Sequence, residues 1–134
     1  MTRKKPKSPE TAGGTAGRRP LRIVLRVDFS PRDRLGRGKA ELLENIVRTG
    51  SISAAGREMD MSYRRAWLLV EEMNTMFNDR VVESRRGGTL GGGAALTPFG
   101  EELLRRFRAM EARAAAALEP DLDWLERHRS ENGI

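Results

Sequence analysis

The chain has 134 residues, a formal net charge of +6, one histidine and no cysteine. This composition excludes disulfides, Cys/His zinc sites and a histidine-based triad, and the remaining carboxylates and arginines show no paired catalytic motif, so we expect neither an enzyme nor a metal site. The length suits one domain, and no apolar run reaches the roughly 20 residues of a membrane span or the 7–15 residues of a signal-peptide core. We therefore expect a cytoplasmic protein with no membrane partner.

The positive charge is concentrated at the beginning of the chain. Residues 1–20 carry six basic residues and one acid, residues 21–100 carry thirteen and ten, and residues 101–134 carry six and eight. The first segment has almost no apolar side chains and three prolines, so we predict a disordered basic tail over 1–20. Either this tail adds contacts to phosphates or it is merely solvated.

The first part of the folded region is predicted to contain a strand and a helix. Apolar and polar residues alternate over 21–29, which indicates a strand with one buried face, and the charged loop PRDRLGRG follows. From Lys39 the period changes to that of a helix, which ends at Thr49-Gly50. Its inward face is predicted to carry Leu42, Leu43, Ile46 and Val47.

Two further helices are predicted between residues 53 and 77. Ser53 can cap a very short helix that stops at Asp60, and Ser62 can cap a longer one. The inward side chains of the longer helix are predicted to be Ala66, Leu69, Val70, Met73 and Phe77, with Trp67 packing beside them.

Four residues of these two helices and their turn, Gly56, Asp60, Ala66 and Leu69, are spaced as in a helix-turn-helix motif. Gly56 allows two helices to cross closely, Asp60 tolerates a left-handed backbone in the turn, and Ala66 and Leu69 seal the contact. An ordinary helical hairpin is the alternative.

The start of the third helix carries the side chains that suit a role in reading DNA. Tyr63, Arg64 and Arg65 are predicted to lie at its exposed beginning, where proteins of this class present side chains to base edges in the major groove. Arginine can bridge O6 and N7 of guanine with two hydrogen bonds. The alternative is a solvated helix face.

Residues 84–100, SRRGGTLGGGAALTPFG, raise a choice between a phosphate-binding loop and a hairpin tip. A P-loop requires GxxxxGK[ST] and a dinucleotide loop requires GxGxxG, and neither pattern occurs. We therefore predict a β-hairpin, with RVVESRR as the rising strand and AALT as the returning strand. After a helix-turn-helix such a hairpin is a wing, whose Arg85 and Arg86 would meet the DNA backbone or the minor groove.

The last long helix is predicted over 98–118. Thr97 caps it, Pro98 occupies its first position, and apolar residues recur at steps of 4 and 3. This seam indicates either a dimerisation helix or packing against the protein's own core. We expect residues 119–134 to form a short C-terminal tail with one short turn of helix. The residues predicted for dimerisation are Leu103, Phe107, Met110 and Ala114.

The stretches RTGSISAAGREMDMSYRRAWLLVEEMN and VVESRRGGTLGGGAALTPFG resemble the N-terminal DNA-binding domain of the ModE-type molybdate-responsive transcriptional regulators, which is related to the LysR-type domain. The resemblance covers about residues 21–118. It implies a fold that is mainly α with a small β wing, a winged helix-turn-helix with a long C-terminal dimerisation helix, bound to a palindromic operator as a homodimer. The residues expected to contact double-stranded DNA are Ser51, Ser53, Ser62, Tyr63, Arg64, Arg65, Arg85, Arg86, Gly87 and Gly88.

Full-length members of that family follow this domain with molybdate-binding domains, and no oxyanion pocket can be placed in these 134 residues. We therefore expect no cofactor. The leading hypothesis is a dimeric regulator of molybdate transport or molybdenum-related genes. The alternatives are an interaction module that pairs with a longer paralogous regulator, and an enzyme built on the glycine loop.

Overall fold

A computed structural model describes residues 19–85 and 93–131, which form helices and short antiparallel hairpins. The mainly α fold with a small β wing is thereby confirmed. The elements are β1 (Arg26–Asp28), β2 (Arg34–Gly36), α1 (Arg37–Thr49), α2 (Ile52–Arg57), α3 (Tyr63–Met76), β3 (Val82–Arg85), β4 (Gly93–Leu96), α4 (Pro98–Ala117) and α5 (Glu119–Arg127).

Residues 23–117 form one compact unit, which contains every element except α5. Helix α5 belongs to a separate unit, in which the ring of Trp124 stacks on that of His128 at 4.3 Å. The prediction of one short turn of helix in this region was wrong, because α5 is nine residues long. Pro120 does not prevent it, since a proline in the first turn of a helix removes only an N–H that has no partner there. Residues 1–18 of the predicted basic tail lie outside the described residues.

The first hairpin corrects the prediction of one long strand followed by a loop. Strand β1 is only three residues long and pairs antiparallel with β2, which lies inside the stretch predicted as a charged loop. Leu35 of β2 is buried, whereas its neighbours on the strand are charged or glycine. Because only the middle residue of this three-residue strand is buried, no alternation was visible there. The turn is closed by Ser30, whose Oγ accepts a hydrogen bond from the Asp33 N–H at 3.0 Å.

Helices α1 and α2 follow the predicted order with two corrections. Gly50 ends α1 with φ +72°, a left-handed conformation that glycine adopts without strain. The cap of α2 is Ser51 rather than Ser53, because Ser51 has extended backbone and its Oγ accepts from the Ala54 N–H at 3.0 Å. Ser53 lies inside α2. Val47 was predicted to face inward but is 61% exposed, since the buried face of α1 is centred on Leu42, Leu43 and Ile46.

Helix α3 packs with the face that its periodicity predicts. Ala66, Val70 and Met73 are buried, and Leu69 packs against the same core. Phe77 follows the helix end and contacts Phe29 and Phe99, at ring distances of 5.2 and 5.3 Å. The prediction that Trp67 packs was wrong, because this side chain is 41% exposed.

The predicted wing hairpin is present as β3 and β4, which pair in register from Val82 with Leu96 to Arg85 with Gly93. A buried amide fixes the hairpin to α3. The Asn74 Oδ1 accepts from the N–H groups of Val81 and Val82 at 2.7 and 3.0 Å, and its Nδ2 donates to the Val82 carbonyl at 3.2 Å. This side chain therefore aligns the base of the wing with the C-terminal end of α3.

Helix α4 begins as predicted. The Thr97 Oγ1 accepts from the Gly100 N–H at 2.9 Å, and Pro98 is the first helical residue. The helix runs back across the domain and contacts α1, where Arg108 bridges Glu44 of α1 and Glu111 of its own helix. The beginning of α4 contacts β4 and the residue before β3, where Gly100 lies against Val81.

Candidate DNA-binding surface

The crossing of α2 and α3 has the geometry expected of a helix-turn-helix. A Cβ built on Gly56 would lie 2.7 Å from the Cβ of Ala66, which is closer than two such atoms approach. The carbonyl of Gly56 accepts from the N–H groups of Met59 and Met61 at 2.9 and 3.0 Å. Asp60, in the turn, has φ +58°. The predicted roles of Gly56 and Asp60 in the backbone are both confirmed.

The first turn of α3 presents polar side chains to solvent. The Oγ of Ser62 accepts from the Arg65 N–H at 3.0 Å, so the predicted cap is confirmed. Tyr63 is 56% exposed, and Arg64 and Arg65 are also exposed. This exposure is what the predicted contact with DNA requires of the three side chains.

Arg64 and Arg65 face different directions. Successive helical residues are about 100° apart, since a turn holds 3.6 residues. Arg64 shares its direction with exposed Leu68, whereas Arg65 lies on the flank of α3 that carries Leu69 and Glu72. The structure therefore separates two arginines that the sequence analysis treated alike.

Two exposed apolar residues of α3 were missed as candidates for the site. Trp67 and Leu68 are 41% and 50% exposed, on the same stretch of helix as Arg64. Apolar side chains can contact the methyl group of thymine in the major groove. The signal in the sequence was present, because Trp67 falls outside the stripe defined by Ala66, Val70 and Met73.

The arginines of the domain fall into two groups. Three arginines of α4 are neutralised locally: Arg105 and Arg106 both bind Glu102, and Arg108 binds Glu44 and Glu111. Arg48 of α1 likewise binds Glu58. Within residues 19–85 and 93–131, no hydrogen-bond or ion-pair partner is found for the guanidinium groups of a second set, which includes Arg32, Arg34, Arg37, Arg64, Arg65, Arg80, Arg85 and Arg113.

The pKa values of the paired carboxyls reflect this division. The hydrogen bond from Arg48 lowers the pKa of Glu58 below its ordinary value, and the hydrogen bonds from Arg106 and Arg105 do the same for Glu102. The pKa of Arg108 is raised, mainly by its hydrogen bond to Glu44. The arginines that remain available to phosphates therefore include those of the first hairpin, the start of α1, the start of α3 and the end of β3, as well as Arg80 and Arg113.

The remaining predicted contacts are placed as follows. Arg85 is exposed at the end of β3, whereas Arg86, Gly87 and Gly88 lie outside the described residues. The Oγ of Ser51 accepts the cap bond described above, and the Oγ of Ser53 accepts from Arg57 at 3.1 Å. Both hydroxyl groups keep a proton that can be donated to another acceptor.

The residues predicted for dimerisation divide between the core and the surface. Phe107 is 1% exposed and packs with Leu35 and Ala40, so its assignment as a dimer contact was wrong. Leu103 also packs against the core. Met110 and Ala114 are partly exposed. The first half of the seam thus serves the protein's own core, because its apolar side chains are covered by β2 and α1.

None of the helices within residues 19–85 and 93–131 combines the length and the apolar character that a membrane span requires.

Residues 39–101 match the family of bacterial regulatory helix-turn-helix proteins of the lysR type. The chain is 44% identical over 106 residues to the molybdenum-pterin-binding protein MopB of Rhodobacter capsulatus, a match covering 79% of this chain and 38% of that protein. It is 42% identical over 87 residues to the transcriptional regulator ModE of Yersinia pestis, a match covering 65% of this chain and 31% of that protein. It is 38% identical over 69 residues to the DNA-binding transcriptional dual regulator ModE of Escherichia coli K12, a match covering 52% of this chain and 26% of that protein.

The chain thus spans between 26% and 38% of the length of these relatives. The matched family segment runs from the start of α1 through α2, α3 and the wing to the start of α4, and the longest match extends beyond it. Residues 39–101 therefore form a helix-turn-helix domain of the lysR type, and the chain is similar over this region to proteins named ModE and Mop.

Proposed function

We propose that the protein binds double-stranded DNA in a sequence-specific manner, as a homodimer, and regulates transcription of genes for molybdate transport or molybdenum use. One observation carries the DNA-binding part. The exposed start of α3 and the end of β3 hold arginines with no partner among the described residues, whereas Arg105, Arg106 and Arg108 of α4 are bound to glutamates. The molybdenum part rests on the names of the relatives.

In this proposal, different residues of the site contact the DNA bases and the DNA backbone. In the proposed complex α3 enters the major groove, where Arg64 and Tyr63 meet base edges, and Trp67 and Leu68 meet thymine methyl groups. Arg85 contacts the sugar-phosphate backbone from the wing and contributes affinity without sequence preference. Asn74 supports this arrangement, because it holds the base of the wing against α3 through three hydrogen bonds.

The proposed dimer uses the outer surfaces of α1 and α4. Val47 is an exposed apolar residue on α1, and Met110 and Ala114 are partly exposed on α4. Arg108 ties the two helices together through Glu44, so they present one continuous surface. A two-fold axis at this surface would place two copies of α3 on successive major grooves of a palindromic site.

Selection of bound sequences from random duplexes, followed by an electrophoretic shift assay over a range of salt concentrations, tests the proposal. We expect a palindromic site and an affinity that falls steeply with salt, because each neutralised phosphate releases a counterion. Absence of salt-sensitive binding at micromolar protein would refute it.

Sedimentation of the purified protein tests the dimer separately. Val47→Glu and Met110→Glu are expected to shift a dimer to monomer, whereas Glu41→Gln, on the exposed side of α1, leaves it unchanged. A chain that remains monomeric alone, but pairs with a longer homologous regulator, would instead support the interaction module.

A further inference from the structure

A groove of about 500 Å³ lies between the first hairpin, the start of α1 and one flank of α3. Arg32 and Arg34 of the hairpin form one wall, and Arg65 of α3 forms another. Gly38, in the first turn of α1, also lines the groove. None of these residues except Arg65 was among the predicted DNA contacts.

A buried lysine holds the walls of this groove together. The Lys39 side chain is only 9% exposed, and its Nζ donates to the Arg34 carbonyl at 2.7 Å and lies 3.0 Å from the Glu72 carboxylate. One side chain of α1 thus connects the hairpin with α3. Because Lys39 neutralises Glu72, the net charge that remains around the groove is that of Arg32, Arg34 and Arg65.

These three guanidinium groups have no hydrogen-bond or ion-pair partner within residues 19–85 and 93–131. Three like charges around one groove repel each other, and this repulsion is relieved when an anion binds between them. Arginine also binds phosphate through two parallel hydrogen bonds. The groove therefore has the charge and the donors that suit a phosphate group.

The position of the groove beside α3 identifies the source of that phosphate. An α-helix with its side chains is about 10–12 Å wide, close to the width of about 12 Å of the DNA major groove. When α3 enters the major groove, the elements along its flank face the sugar-phosphate backbone that borders it. Arg65 lies on this flank, together with Leu69 and Glu72.

We propose that the first hairpin is a second DNA-contacting element, and that the groove bounded by Arg32, Arg34 and Arg65 binds a backbone phosphate at the edge of the major groove. This inference rests on the proposed DNA binding. It assigns Arg65 to the backbone rather than to base edges, and it adds two hairpin arginines that contribute affinity without sequence preference.

The salt dependence of binding tests the inference on the full chain with its selected operator. Each phosphate contact contributes about −0.9 to the slope of log K against log salt concentration. We expect Arg32→Ala/Arg34→Ala to make this slope shallower by about 1, to weaken binding to all duplexes alike, and to leave the selected sequence unchanged.

A matched control comes from α4. Arg105→Ala/Arg106→Ala changes the net charge by the same amount, but these arginines bind Glu102. The control is expected to keep the wild-type slope. An equal change of slope in both variants would show an effect of total charge and overturn the assignment to the hairpin.

Gly38 allows a second test that leaves the arginines in place. A Cβ at Gly38 would meet no atom within 4 Å, so the fold accommodates a side chain there. Gly38→Glu adds a negative charge at the groove and is expected to bind about tenfold more weakly than Gly38→Gln, which is similar in size and neutral. Equal affinities of these two variants would contradict a phosphate in the groove.

Replacement of single operator phosphates by uncharged methylphosphonate completes the test. We expect one flanking position at which this replacement weakens wild-type binding and has no effect on Arg32→Ala/Arg34→Ala. If Arg32→Ala/Arg34→Ala has the same salt slope as the wild type, the hairpin inference fails while DNA binding stands. If the wild type shows no salt-sensitive binding, both fail.

Discussion

The backbone of Gly100, in the first turn of α4, lies directly against the carbonyl group of Val81 at the base of the wing. A Cβ on Gly100 would overlap with the Val81 oxygen and also crowd its side chain. The Val81 carbonyl in turn accepts from the Thr97 N–H at 2.9 Å. The close approach of α4 to the wing therefore depends on the absence of a side chain at position 100.

Gly100→Ala is expected to destabilise the protein by more than about 2 kcal/mol, because the obstructing atom belongs to the backbone and cannot rotate away. The midpoint of urea denaturation measures the change. Gly38→Ala is the matched control, since its Cβ meets nothing within 4 Å, and should be neutral or slightly stabilising. Equal midpoints for the two variants would contradict the contact.

Asp60 provides a test of the helix-turn-helix turn. Its φ of +58° is a conformation that side chains other than asparagine and aspartate adopt with difficulty. Asp60→Gly is therefore expected to stabilise the protein by up to about 1 kcal/mol, and Asp60→Val to destabilise it by a similar amount or more. Thermal unfolding of both variants would show the opposite shifts, and shifts of the same sign would contradict the explanation.

Asn74 is expected to control the attachment of the wing. Asn74→Ala leaves the buried N–H groups of Val81 and Val82 without their acceptor, at a cost of about 1–3 kcal/mol for each unsatisfied group. Hydrogen exchange should show faster exchange at these two amides. Asn78→Ala, at an exposed position just after α3, is the control and should leave exchange unchanged.

Arg64 and Trp67 should affect DNA binding without affecting stability, since both are exposed. We expect Arg64→Ala to reduce discrimination between the selected site and single-base variants by about 1–3 kcal/mol. Trp67→Ala is expected to reduce the preference for thymine over uracil at one position, because uracil lacks the methyl group. Competition binding measures both. Retention of full discrimination in both variants would remove α3 from base recognition.

Acid should weaken the link between α1 and the end of α2. Arg48 lowers the pKa of Glu58 below the ordinary value of 4.5, so this pair contributes stability at neutral pH that is lost as the pH falls through the lowered pKa. Wild type should therefore be more stable than Glu58→Gln at pH 7, and the difference should disappear in strong acid. Denaturation curves at several pH values measure this. A constant difference would contradict the role of the pair.

Local sequence was sufficient to predict the features that depend on neighbouring residues. The caps Ser62 and Thr97, the inward face of α3, the wing and the roles of Gly56 and Asp60 were all predicted, because each follows from spacing within a few residues of the chain. The same local reasoning failed for Ser53, which is one of two serines at suitable positions. Only the backbone conformation of Ser51 decides between them.

The tertiary structure decided which surface covers each apolar face. A periodic stripe shows that a helix has an apolar side, but it does not say whether the partner is the same chain or another. Phe107 lies against Leu35 in one protein core, whereas Val47, which the same reasoning placed inside, is exposed. The hairpin of Arg32 and Arg34 beside α3 likewise depends on Lys39 reaching Glu72, a contact between residues 33 positions apart, which no local pattern specifies.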